Sequence, residues 1–161
     1  MSVGFIITFE QFIKVFLSGL LGLIIGWDRT SKNKPAGLKT YMYVCVSCAL
    51  ITIVSIESVA MFSNMEIGVR MDPMRLAAQI VSGLGFLGAG VILKDGLQVK
   101  GLTSAAMILF VGGVGIGIGS GFYGIVICAV IITSLFSRIG SIFEDREIVR
   151  FRKTDTNRKT G

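Results

Sequence analysis

Histidine is missing from all 161 residues. That absence removes histidine-based catalytic triads, histidine acid–base chemistry and most zinc sites. Charge is also scarce: Asp, Glu, Lys and Arg make up 16% of the chain. That is too little for the polar surface of a soluble domain of this size. The cysteines are Cys45, Cys48 and Cys128. Cys45-Val46-Ser47-Cys48 has C-x-x-C spacing but lacks the βαβ context of a redox motif, so all three are read as small packing residues. A magnesium ion would need carboxylates and waters in octahedral geometry. No predicted span carries such an acidic cluster. The sequence therefore predicts no catalytic residue, metal ligand or cofactor, and the chain does not read as an enzyme.

What the chain does have is long apolar runs separated by short charged segments. Hydrophobic residues make up 52%, and the mean hydropathy is +0.76. This pattern predicts an all-α integral membrane protein, a compact bundle of about five transmembrane helices in contact with a lipid bilayer. The predicted spans run over about 5–27, 38–62, 76–93, 102–118 and 122–143 of the membrane domain 1–143, followed by a basic tail over 144–161. Four spans are the alternative, with the first segment lying on the surface. The first apolar segment has no basic leader and no small-residue cleavage site, so no signal peptide is expected. Gly119-Ser120-Gly121 breaks the last apolar run into an antiparallel pair.

The basic residues set a direction. Arg29, Lys32, Lys34 and Lys39 fall in the first loop, Lys94 and Lys100 in the third, and seven more lie from Arg138 onward, thirteen of the sixteen Lys and Arg. The second loop has only Arg70 and Arg75. This asymmetry predicts an outside N-terminus and a cytoplasmic C-terminus in a bacterial cell membrane.

Ser82 to Gly90 reads SGLGFLGAG, in which Gly83, Gly85 and Gly88 fit the dinucleotide fingerprint G-x-G-x-x-G. That fingerprint needs a preceding strand and an acidic residue further on. Here Asp72-Pro73 marks a helix start instead, Asp as N-cap and Pro at the first helical position. Leu76 to Leu93 carries no charge and would form about 27 Å of helix. The glycines therefore lie in an apolar helix, and neither a dinucleotide nor a nucleic acid is an expected partner. Their expected role is close helix packing, which small residues allow in lipid. Candidate contact positions are Gly22 and Gly26 in the first span, and a stripe in the third, Ala78, Ser82, Gly85 and Ala89, with Gly88 nearby. A sharper reading takes the many glycines as breaks in helices around a membrane site.

Polar candidates lie at span ends. Asp28 and Arg29 follow Trp27. Asp28 could bind a cation or a basic partner in a site completed by Lys39 and Lys100, with Thr40 and Thr103 nearby in sequence. Asp72 and Arg75 suit a helix cap and first turn. Gln79 should face the bundle or a cavity, because an amide facing lipid is costly.

The blocks Gly26-Trp27-Asp28-Arg29, Ala36-Gly37-Leu38-Lys39-Thr40, Asp72 through Gly90 and Val99-Lys100-Gly101-Leu102-Thr103-Ser104-Ala105-Ala106 resemble the signature blocks of the MgtC/SapB membrane proteins. The resemblance implies a bacterial cytoplasmic-membrane protein of four or five spans. It implies a regulatory role in magnesium homeostasis, stress or virulence through membrane protein contacts, including restraint of the ATP synthase. The implied partner is a second copy of the chain, as in a dimer, or another membrane complex. The alternative is a small transporter or channel for a cation or small solute. The chain departs from the family in having Asp28 where Glu is usual, and Leu109 and Phe110 where a tryptophan is usual. Longer relatives carry a cytosolic C-terminal domain. About 18 residues follow Phe143, so the chain reads as a short form.

Overall fold

The structure, a computed structural model, describes residues 2–31, 34–63 and 72–159. Expectations that concern Lys32, Glu66 or Arg70 lie outside the described residues. The elements are α1 (Ser2–Ser31), α2 (Leu38–Ser63), α3 (Arg75–Val91), β1 (Leu93–Asp95), β2 (Gln98–Lys100), α4 (Leu102–Gly119) and α5 (Tyr123–Lys159). The chain divides into two units, Met1–Tyr123 and Gly124–Gly161.

Among the described residues, four helices are long and apolar enough to cross a membrane, over Phe9–Thr30, Leu38–Phe62, Leu102–Gly119 and Tyr123–Ser141. The fifth, α3, has 17 residues, about 26 Å, at the lower limit for a span. The expected third span reached residue 93. It stops at Val91 because Ile92 turns to extended backbone, with φ −82° and ψ 115°. The short helix is therefore the third and not the first.

In the first unit, side-chain and backbone approaches fix the directions. Gly26 lies against Leu38 and Gly22 against Met42, so α1 and α2 run antiparallel. Gly115 lies against Cys45 and Cys48, and Gly119 against Ala49 and Thr52, so α2 and α4 run parallel. Leu84 sits over Gly112 and Gly88 meets Ala105, so α3 opposes α4. α2 packs on α1, α3 and α4, and is central. Its buried residues Tyr41, Cys45, Cys48, Ala49 and Thr52, with Ile108, Val111, Val114 and Ile118 of α4, form the core. Cys45 and Cys48 thus pack as expected, whereas Cys128 on α5 is exposed.

This up-and-down order brings the end of α1, the start of α2, the end of α3 and the start of α4 to one end of the bundle. Lys39, Lys94 and Lys100 lie there, so it is called the basic end below. At that end β1 and β2 form a hairpin with Leu93 opposite Lys100 and Asp95 opposite Gln98. The sequence reading treated these residues as a plain loop. At the far end of α4, Gly121 takes φ +82°, with Phe122 N–H bonded to Gly117 O at 2.8 Å and Gly121 N–H to Ile118 O at 3.0 Å. These two bonds define a Schellman stop, and the helix break falls where the Gly-Ser-Gly sequence predicts it.

The second unit is α5. Its apolar part runs to Ser141, whose hydroxyl bonds Arg138 O at 2.9 Å, and the helix continues to Lys159.

Candidate functional site

The glycine expectations divide by helix. A Cβ on Gly22 would lie 2.8 Å from Met42 Cα, and one on Gly26 2.7 Å from Leu38 Cα. Both glycines are true close-approach positions. Gly88 makes an ordinary contact, 3.6 Å to Ala105 Cβ from an added Cβ. Ser82, Gly85 and Ala89 correct the packing expectation within the chain: all three are exposed, and an added Cβ at Gly85 meets nothing within 4 Å. The buried face of α3 is Ala77, Ile80, Leu84 and Gly88. It is offset by one residue from the Ala78–Ser82–Gly85–Ala89 stripe, a rotation of about 100°. Leu84 determines the choice by filling the space over Gly112.

Two candidate groups occupy opposite ends of the bundle. Asp28, Arg29, Lys39, Thr40, Lys100 and Thr103 belong to the basic end, and Asp72, Arg75 and Gln79 to the other. At the second end, Asp72 Oδ1 accepts the Met74 N–H at 2.9 Å, and its carbonyl accepts the Arg75 N–H at 3.3 Å. α3 begins at Arg75, with Met74 in the capping position. Asp72 therefore forms an Asx-type turn just ahead of the helix instead of capping it directly. Ser55 of α2 donates to Pro73 O at 2.7 Å and ties this turn to the bundle. Gln79 lines an outward groove of about 570 Å³ between α2 and α3, whose walls include Tyr43, Val44, Ile51 and Leu87. Gln79 itself is exposed on the wall of this groove.

At the basic end the sequence expected Asp28 to organise the site. The structure gives the central place to Arg29, which is buried while Asp28 is exposed. Arg29 Nε donates to Met107 Sδ at 2.7 Å. Tyr41, fully buried, lies within electrostatic reach of Arg29 and donates to Ser104 O at 3.4 Å. Lys100 pairs with Asp95 at 2.6 Å. Lys39, Thr40 and Thr103 are exposed. Thr30 fastens the corner: its hydroxyl donates to Gly26 O at 3.3 Å and accepts the Leu38 N–H at 2.7 Å.

Tyr41, Ser104 and Met107 were missed from sequence. A usable signal existed on α1. Ser18, Gly22, Ile25, Gly26 and Arg29 are all buried, spaced by four, three, one and three residues along one helical face. That stripe carries Arg29 into the bundle.

Comparison with known proteins gives the family. The model of the MgtC family matches residues 15–146. Protein SapB of Bacillus subtilis is 47% identical over 112 residues, 69% of this chain and 48% of the relative. Protein MgtC of Brucella abortus is 42% identical over 102 residues, 63% of this chain and 39% of the relative. The Escherichia coli K12 protein named "Putative magnesium transporter YhiD" is 38% identical over 128 residues, 80% of this chain and 59% of the relative. The chain spans about half the length of the curated relatives it matches. No solved structure matches it. With a family match covering most of the chain, the protein belongs to the MgtC family.

Proposed function

We propose that the protein is a non-enzymatic regulator in magnesium homeostasis or stress adaptation, acting in the bacterial cytoplasmic membrane through contacts with a second copy or another membrane complex, the ATP synthase among them. Its basic end faces the cytoplasm, following the distribution of Lys and Arg. The observation that carries the choice of regulator over transporter is how the bundle interior is filled. Apart from Arg29 at the basic end, the buried side chains of the first unit are apolar or hydroxyl-bearing, and the hydroxyls of Ser18, Thr52 and Ser55 bond backbone carbonyls. Ser18 donates to Val15 O at 2.7 Å, Thr52 to Cys48 O at 2.8 Å and Ser55 to Pro73 O at 2.7 Å. A conducting path needs polar groups turned toward the ion. These hydroxyls are turned toward backbone carbonyls instead.

The reading is tested by reconstitution. Liposomes holding the purified chain should pass magnesium no faster than protein-free liposomes, while the gene restores growth of a deletion strain in low magnesium. Magnesium flux that scales with protein would establish the transporter reading in its place. In the same strain, Asp28→Asn and Arg75→Ala should abolish growth at normal membrane abundance. Full complementation by both would remove those residues from the functional site.

A further inference from the structure

The two short strands at the basic end carry more apolar surface than a solvated connection needs. Leu97, at the tip, is completely exposed, and Ile92, Leu93, Val99 and Leu102 are exposed as well. Exposed apolar residues gathered in one place mark an interaction surface. The hairpin is also a built element. Its strands pair in register, Leu93 with Lys100, Lys94 with Val99 and Asp95 with Gln98. Gly101, at φ +91°, lets its foot press against the end of α3, where any Cβ would run into the Val91 carbonyl.

Its position selects the partner. Both strands join apolar helices directly, β1 following α3 and β2 leading into α4. α3 has 17 residues, about 26 Å of helix, whereas the hydrocarbon core of a bilayer is ~30 Å thick. Ile92 and Leu93 continue the apolar chain in extended form for about 7 Å more, which carries it through the remaining hydrocarbon. Lys94 is then the first charged residue after the span and falls at the level of the lipid phosphates. An upright hairpin would lift Leu97 about 10 Å further, beyond a headgroup layer of roughly 5–7 Å. A reclined hairpin keeps it at the acyl boundary.

The two faces of the hairpin differ in charge. Side chains alternate along strands, so Leu93, Asp95, Gln98 and Lys100 share one face, and Lys94 and Val99 share the other. On the first face Asp95 and Lys100 neutralise each other at 2.6 Å. On the second, Lys94 has no ion pair among the described residues and stands opposite Val99. An unpaired ammonium beside apolar side chains suits a lipid phosphate above acyl chains. We propose that the β1–β2 hairpin lies in the headgroup layer of the membrane its helices cross, with Leu97 and Val99 against the acyl boundary and Lys94 on a lipid phosphate.

The test puts a nitroxide on the full chain through Leu97→Cys, Val99→Cys or Gln98→Cys, with the native cysteines replaced, in nanodiscs of phosphatidylcholine and phosphatidylglycerol. Collision with oxygen, which concentrates in lipid, is compared with collision with a water-soluble nickel chelate. The labels at Leu97 and Val99 should favour oxygen over the chelate several-fold more than the label at Gln98. Equal chelate access at all three positions overturns the proposal, and is what a hairpin reserved for a protein partner in the water phase would show. Lys94→Glu should raise chelate access at Leu97 several-fold in the same discs. Unchanged access there removes the phosphate contact and overturns the proposal equally. All four positions are exposed, so these substitutions leave the packed bundle intact.

Discussion

Replacing Gly26 by alanine adds a single carbon and should still loosen the bundle. The new Cβ would lie 2.7 Å from Leu38 Cα and 3.1 Å from Leu38 O. Ordinary carbon contacts sit at about 3.5–4.0 Å, so α1 and α2 must separate by about 1 Å. The obstructing atoms are backbone, which no rotamer change can move aside. Overpacking of this kind costs about 1–3 kcal/mol, and the upper part of that range applies here. Alanine recovers about 1 kcal/mol of helix propensity over glycine, leaving a net loss of about 2 kcal/mol by difference. Gly85→Ala is the control. Its Cβ meets nothing within 4 Å, so only the propensity gain of up to about 1 kcal/mol remains. Reversible unfolding in mixed micelles, titrated with a denaturing detergent, measures both. If Gly26→Ala is as stable as Gly85→Ala, the close-approach argument fails. Gly85→Leu extends the comparison. It should not lower the stability of the isolated bundle, and cross-linking then reports whether the exposed stripe joins two copies.

Two further outcomes are expected. Thr30→Val removes the hydroxyl that accepts the Leu38 N–H, so stability should fall by about 1 kcal/mol; unchanged unfolding would mean the corner is held by packing alone. With the native cysteines replaced, single cysteines at Lys34 and Thr156 should label from the cytoplasmic side and one at Glu66 from the outside; labelling of Lys34 and Glu66 from the same side would refute the proposed topology.

Much of the fold was legible because lipid imposes simple rules on sequence. Apolar length located the helices, and Gly119-Ser120-Gly121 marked the end of α4. The pair Gly22 and Gly26 identified the tight face of α1, since four-residue spacing stacks small residues on one side. The face of α3 was not legible. Its small-residue stripe and its packed face are both periodic, and only the partner's shape, Gly112 receiving Leu84, distinguishes them. The hairpin escaped notice because its strands are three residues each and fully exposed. Gly96-Leu97, a two-residue turn with glycine in its first position at φ +63°, was its only announcement. At the basic end, adjacent Asp28 and Arg29 looked equivalent as a solvated terminus. A step of about 100° around the helix separates them, and it sends one charge inward and the other out.

The parallel contact between α2 and α4 also bears on how the protein is made. α1 and α2 are near neighbours in the chain, and their backbones touch through Gly22 and Gly26, so this pair can close as soon as both have left the ribosome. The opposite side of α2, from Cys45 to Thr52, receives Gly115 and Gly119, which are synthesised more than sixty residues later. Until then that shallow surface of α2 lies against acyl chains, which fill it less closely than a helix backbone does. Biogenesis therefore passes through a half-built stage whose exposed face fits any helix carrying small residues at four-residue spacing, including the α4 of another copy.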